Sequence, residues 1–312
     1  MDEEVFQVPY LYAGLGTQLD DHAVARKQMA MLDIGSTQRL ERAVVNAAPE
    51  SNASIIEGLR EAMTAFDAIS LDQMAGVSLL DRTDTKYLLG AHHALELLAL
   101  LSPNYRALDI NGVRANRYRT VYFDTDGFDL YMRHHAGNEV RHKVRSREYL
   151  DSHVSFFEVK RKTNKDRTIK ERLETGELVT QLGATGGTSD FLYSQFPLAR
   201  PGLEARITNE FHRVTLVNKQ GEERVTFDFE LRFTASEERR ICLPGLAVVE
   251  VKQAGFDRWS PIIKAMRTAG VPPRGLSKYC IGVALLYPEV KHNNFKAKLL
   301  QIERLMQEDR NA

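Results

Sequence analysis

Four permanent cations, Arg141, Lys143, Arg145 and Arg147, take every second position of the stretch VRHKVRSREY, residues 140–149. Residues spaced by two share one face of a β-strand, so a strand here stacks like charge along one side of a sheet. Any fold for this chain must supply a reason for that repulsion. The overall charge supplies none, because 42 basic side chains balance 42 acidic ones. A neutral total argues against broad adhesion to nucleic acid or to an anionic membrane. Local clusters therefore carry the information.

The 312 residues allow one large domain or two modest ones, and 43% hydrophobic residues suffice for a sizeable core. No apolar run reaches the length of a membrane span. The start, MDEEVFQVPY, is acidic and lacks the basic-then-apolar order of a signal peptide. Cys242 and Cys280 have no metal-type spacing and read as buried thiols rather than a disulfide. These features predict a soluble cytoplasmic protein.

Three stretches divide the chain: a polar extension over 1–53, a main domain over 54–290 and a C-terminal helix over 291–312. Ser54 and Glu57 have capping-box spacing, with Ile56, Leu59, Met63 and Phe66 following at helical intervals. Ser70 and Gln73 repeat the start signal for a short helix. Residues 92–101 read as a helix that stops before Pro103, and Ser260-Pro261 opens another that ends at Gly270 and Pro272. Strands are expected at 82–89, 118–124, 140–149, 154–162, 210–217, 224–231 and 246–252, with an eighth at 277–283. The mix is α+β, dominated by antiparallel sheet. GATGGTS at 183–189 is a connection, since no Gly-Lys-Ser/Thr follows to make a phosphate loop.

Period-two reading gives several strands one apolar and one ionic side. Asp84 aligns with Arg82 and Lys86; Glu158 aligns with Lys160 and Lys162. Thr226, Asp228 and Glu230 align, opposite Val225, Phe227 and Phe229; Glu250 aligns with Val248 and Lys252, and Arg213 with Thr215. A single such strand is ordinary, because an antiparallel sheet buries one face and wets the other. The set as a whole is not. Twelve cations on these faces (those named, with Arg141, Lys143, Arg145, Arg147, Arg224 and Lys278) stand against five acids. Inside a closed barrel, weak screening would raise the repulsion, and only an anionic occupant would relieve it. Arginine suits phosphate, whose oxygens its planar fork pairs two at a time. A few acids among many bases suit a divalent metal bridging carboxylate and phosphate. The expected guest is a nucleoside triphosphate or an inorganic phosphate chain.

In order and context, RTDTKYLL (82–89), YRTVYFDT (118–125), RHKVRSREY (141–149), FFEVKRK (156–162), RVTFDFEL (224–231), VVEVK (248–252) and LSKY (276–279) resemble the vacuolar transporter chaperone (VTC) domain of the triphosphate tunnel metalloenzymes. The similarity covers roughly residues 66–287. It implies an eight-stranded antiparallel β-barrel, the triphosphate tunnel, with flanking helices. It also implies Mn²⁺ or Mg²⁺ as cofactor, and polyphosphate synthesis from ATP. By that resemblance Lys86, Arg145, Arg147, Lys160, Arg213, Arg224 and Glu250 would carry catalysis. Arg82, Lys143, Lys162, Lys252 and Lys278 would contact substrate phosphates. Glu250 would hold the metal, and Glu158 would be a metal ligand or a lysine partner.

The superfamily opens with Glu-x-Glu-x-Lys, whereas Arg82, Asp84 and Lys86 stand here. A cation in place of the first acid removes one metal ligand and favours phosphate. The phosphate-sensing domain and membrane segments of eukaryotic polymerases have no counterpart, so coupling to transport would need a separate membrane partner; the compact form looks bacterial. Transfer of the ATP γ-phosphoryl group to a phosphate chain needs alignment and charge neutralisation, not a strong base, and product would leave through the far mouth of the tunnel. A triphosphatase or tripolyphosphatase on the same tunnel and a non-catalytic polyanion-binding subunit are the alternatives. Nucleic acid is disfavoured, because no aromatic platforms interleave the basic positions. His134 and His135 read as a surface turn, Trp259 as packed on the barrel, Tyr118, Tyr122 and Tyr149 as structural, and Asp124 as a turn cap.

Overall fold

The computed structural model describes residues 49–75, 83–164, 167–197 and 202–311. Arg82 and nearly all of the 1–53 extension lie outside the described residues. The chain runs α1 (Pro49–Thr64), β1 (Asp67–Ile69), α2 (Leu71–Ala75), β2 (Thr83–Gly90), α3 (Ala91–Ala99), β3 (Tyr105–Leu108), β4 (Ala115–Asp124) and α4 (Asp129–His135). It continues through β5 (Arg141–Tyr149), β6 (Val154–Lys162), β7 (Thr168–Thr175), α5 (Gly187–Gln195), β8 (Glu204–Asn218), β9 (Glu223–Thr234), β10 (Arg240–Leu243) and β11 (Leu246–Gln253). Three helices, α6 (Pro261–Thr268), α7 (Lys278–Leu286) and α8 (Lys296–Arg310), complete it.

The class is α+β, and eight strands form one antiparallel path, β2-β11-β9-β8-β4-β5-β6-β7, as the sequence predicts. Among the described residues no ladder joins β2 to β7, so the sheet is open at that flank. The membership of the eight differs from expectation in one place. Residues 278–283 belong to α7, with Ser277 as its cap, and not to a strand. That run is apolar on all sides and every residue from Tyr279 to Leu286 is buried, a pattern that suits a buried helix as well as a buried strand. Ser277 Oγ caps the helix by accepting Cys280 N–H at 3.2 Å. The eighth place goes to β7, TIKERLET, whose residues are mostly exposed and show no apolar face.

Start signals fare unevenly. Ser70 and Gln73 make the reciprocal capping box: Gln73 N–H donates to Ser70 Oγ at 3.3 Å and Ser70 N–H to Gln73 Oε1 at 3.0 Å. Ser260 Oγ accepts Ile263 N–H at 3.3 Å, with Pro261 opening α6. By contrast, α1 starts at Pro49, so Ser54 lies inside the helix rather than at its cap.

The sheet buries both faces, at different places. On the outside, Val225, Phe227, Phe229, Val249 and Val251 pack with Ile55 and Leu59 of α1, Leu98 of α3, and Ile262 and Met266 of α6. On the inside, the period-two set that begins with charged residues turns apolar along each strand. Leu88 follows Lys86, Val248 precedes Glu250, Phe211 precedes Arg213, and all three join α7 in one cluster with Tyr118, Tyr122 and Tyr279. Helix α7 therefore fills one end of the concave face.

A β-bulge sets the switch on β9. The β8–β9 register shifts between Glu210 and His212, and Glu230 takes a left-handed φ of 51°. Beyond it Leu231 and Phe233 take the inner face and enter the α7 cluster. Glu230 is thus rotated off the face it was expected to share with Thr226 and Asp228. Its carboxylate lies 3.3 Å from His212 Nδ1 and 3.6 Å from Arg232 instead.

Candidate active site

Cross-strand register brings the ionic positions together. Lys86, Glu250, Thr226 and Thr215 stand directly opposite one another across β2, β11, β9 and β8. Lys252 faces Asp84 and Arg224, and Arg213 faces Asp228. On the other side of the concavity Lys143 faces Lys160, Arg145 faces Glu158, and Arg141 faces Lys162. The two sides are close enough to interact. Lys160 reaches water, yet desolvation and the charges of Lys143, Arg145 and Lys86, partly offset by Glu250, push its ammonium down to about 8. A residue of β6 sensing β2 and β11 requires the sheet to curl. Helix α7 ties the two sides: Lys143 Nζ donates to Ser277 Oγ at 3.0 Å, while Lys278 pairs with Asp228 on β9.

Each carboxylate holds two cations. Glu250 is bridged by Lys86 and Lys252. Glu158 accepts from Arg145 Nε at 2.6 Å and pairs with Lys170. Asp228 takes Arg213 through Nε at 2.5 Å and Nη2 at 2.7 Å, and Lys278 as well. Burial alone would raise all three carboxyls, but the cations outweigh it. Lys252 and Lys86 hold Glu250 well below its ordinary range, Arg145, Arg147 and Lys170 lower Glu158, and Arg213 and Lys278 bring Asp228 to about 2. The Glu250 side chain keeps 18% of its surface open, that of Glu158 only 1%. Arg147 sits deepest, its Nε donating to Thr120 Oγ1 at 3.1 Å and its guanidinium over the Tyr118 and Phe211 rings. Arg224 and Lys162 are half-buried at the rim opposite Lys252 and Arg141.

Two further cations escaped the sequence reading. Lys170 and Arg172 on β7 face Lys160 and Glu158. Desolvation, with Arg145 nearby, lowers Lys170 to about 8 against the pull of Glu158 although its side chain keeps 35% of its surface open, and Arg172 lies 4.5 Å over the Phe156 ring. Their spacing of two in TIKERLET was the available signal. Asp228 was counted among the acids without its role as the junction of Arg213 and Lys278.

Other expectations change. His134 and His135 close helix α4 instead of forming a surface turn. His134 Nε2 lies 3.2 Å from the His142 carbonyl oxygen, and burial with the Lys143 charge pushes it down to about 3. His135 is buried against Phe295 and Tyr131. Trp259 is 61% exposed rather than packed on the barrel, with Arg258, Lys264 and Arg267 around its ring. Helix α6 turns Ile262, Ile263 and Met266 inward and leaves the residue before its cap outside. Asp124 is a cap, accepting Thr125, Leu130 and Tyr131 N–H, each at 2.8 Å, and the Tyr279 hydroxyl. Tyr118, Tyr122 and Tyr149 pack among the rings beneath the cations. Both cysteines are free.

Among the described residues no three His, Cys, Asp or Glu side chains form a metal cluster, and no helix is long and apolar enough to cross a membrane. The VTC domain model matches residues 81–287. No curated protein matches the chain. Solved structures similar to it include a candidate adenylate cyclase from Vibrio parahaemolyticus (13% identity, 67% of this chain and 97% of that one, TM-score 0.36). Another is a candidate adenylate cyclase from Bacillus halodurans (14%, 63% and 94%, TM-score 0.40). A third, the candidate adenylyl cyclase HpAC1 from Hippeastrum, is described as having a dominant triphosphatase activity (16%, 66% and 96%, TM-score 0.40).

Proposed function

The chain belongs to the VTC domain family of triphosphate tunnel proteins, and from that premise we propose that it transfers the γ-phosphoryl group of ATP to the end of an inorganic polyphosphate chain. The observation that carries this reading is the state of the inner carboxylates. Glu158, Asp228 and Glu250 are each clamped by cations and held ionised. A carboxylate with so depressed a pKa is a poor base for activating water. A terminal phosphate oxygen is already anionic and needs no base.

In this reaction a terminal polyphosphate oxygen forms a bond to the γ-phosphorus. The bond from that phosphorus to the β-γ bridging oxygen breaks, and ADP leaves with the oxygen. Lys86, Arg145, Arg147, Lys160, Arg213 and Arg224 align donor and acceptor and stabilise the equatorial oxygens. Lys143, Lys162, Lys252 and Lys278, with Arg82, extend the phosphate track, and Lys170 joins it. Glu158 and Asp228 act as positioning residues that aim the cations they clasp.

A hard divalent ion needs only one or two protein carboxylates when substrate phosphates and water complete its shell. The donor set fits such an ion, since Glu250 keeps 18% of its side-chain surface exposed where Glu158 keeps 1%. Glu250 would hold Mn²⁺ or Mg²⁺, which when bound neutralises phosphate charge. ATP as donor places the reaction in the cytoplasm, and export of product would fall to a separate membrane partner.

The test is purified protein with ATP and Mn²⁺, resolved on a gel stained for polyphosphate, beside Glu250→Gln and Arg145→Ala. Chain synthesis lost in both variants is expected. Synthesis at the parental rate in both refutes the site. Orthophosphate release from tripolyphosphate without chain growth would assign the tunnel to hydrolysis instead.

A further inference from the structure

One buried hydroxyl in the concavity has nothing to bond. Thr226 is 4% exposed, and among the described residues its Oγ1 has no hydrogen-bond partner. Buried polar side-chain atoms are nearly always paired, and an unmade hydrogen bond costs about 1–3 kcal/mol. The carboxylates nearest in register are committed elsewhere. Along β9, Asp228 is taken by Arg213 and Lys278. Across the sheet, Glu250 is taken by Lys86 and Lys252. A valine of the same shape would pack here without the orphan.

Register puts this hydroxyl next to Glu250, whose side chain keeps 18% of its surface exposed. Thr226 stands directly opposite Glu250, in the same row as Lys86. Directly opposed side chains on adjacent strands have Cβ atoms about 5 Å apart, near enough for two side-chain oxygens to share one ion. A threonine or serine hydroxyl beside a phosphate-binding lysine is a recurrent Mg²⁺ ligand in nucleotide sites on other folds.

We propose that Thr226 Oγ ligates the divalent ion held at Glu250. The oxygen offers a lone pair to the ion, which gives the orphaned atom its partner. The inference rests on the metal-dependent reading above and adds to it a second, uncharged protein ligand.

The test uses the full chain and Mn²⁺, with free ion followed by electron paramagnetic resonance in the presence of a non-hydrolysable ATP analogue. Thr226→Val is expected to weaken Mn²⁺ binding about tenfold. Thr226→Ser should keep it within about twofold, and the analogue's affinity measured in EDTA should not change in either. Without metal, Thr226→Val should melt at or above the parental temperature, which separates a lost ligand from a lost fold. Parental Mn²⁺ affinity in Thr226→Val overturns the assignment. Loss of the analogue's metal-free affinity in that variant also overturns it, by making the hydroxyl a phosphate donor alone. If Glu250→Gln lowers Mn²⁺ affinity while Thr226→Val does not, the metal reading stands and Thr226 falls. If Glu250→Gln changes nothing, both fall.

Discussion

Replacing Asp228 with asparagine removes the charge that joins β8, β9 and α7. The carboxylate is 2% exposed and takes two guanidinium donors from Arg213, at 2.5 and 2.7 Å, and the Lys278 ammonium. Arg213 and Lys278 hold its pKa near 2 against an ordinary 3.8, so the ionised form gains on the order of 2 kcal/mol net of burial. The variant loses that gain and leaves two buried cations unpaired, a change that costs about 3–5 kcal/mol in comparable sites. At roughly 2–4 °C per kcal/mol for a domain of this size, the melting temperature should fall by roughly 5–20 °C. Tripolyphosphate should recover more of the melting temperature in the variant than it adds to the parent, because the polyanion can pair the released cations. Circular dichroism melts at pH 7, with and without tripolyphosphate, give both quantities. An unchanged melting temperature, or equal rescue in the two proteins, refutes the reasoning. Because the folded pKa is depressed, this contribution is complete above pH 3.8 and disappears as pH falls through about 2.

Desolvation brings Lys160 and Lys170 both down to about 8, and a bound polyanion would raise the pKa of each. Tripolyphosphate binding should therefore take up protons near pH 8 and weaken between pH 7 and 9; calorimetry in two buffers of different ionisation enthalpy should give different heats, and equal heats refute this. Gly282→Ala would place a Cβ 2.6 Å from Ile207 Cδ1 and 2.7 Å from Phe233 Cδ1. Overpacking there should cost about 1–3 kcal/mol in urea unfolding, and an unchanged midpoint would show that the helix can shift. Asp309→Ala removes the acceptor of His92 N–H at 2.8 Å and the contact with His92 Nδ1 at 3.1 Å, where α8 caps α3. A loss of about 1 kcal/mol is expected from thermal melts.

Strands β5 and β6 were legible in the sequence because charged side chains recur at every second position along one side of each. Their observed bounds, Arg141–Tyr149 and Val154–Lys162, match the reading almost residue for residue. Strand β7 was invisible because neither of its faces is buried, so hydrophobic period had nothing to mark. Helix α7 was misread for the opposite reason, since burial on every side erases period altogether. Alternation also cannot foresee a bulge. It carried Glu230 along with Asp228, whereas a single left-handed residue turned it away. For the site, Lys170 and Arg172 stayed hidden with β7, and the pairing of the other cations was not readable. Lys143 meeting Ser277 and Lys278 meeting Asp228 depend on where α7 enters the concavity.

That entry point governs traffic. With α7 packed into one end of the concave face, the proposed transfer would have nucleotide and polymer reach the same ammonium and guanidinium groups, among the described residues, from the other end or past the unzipped margin between β2 and β7. A polymer terminus resting there obstructs the next nucleotide if both use a single doorway. Successive additions without release thus require two routes, one for the spent nucleotide and one for the lengthening tail.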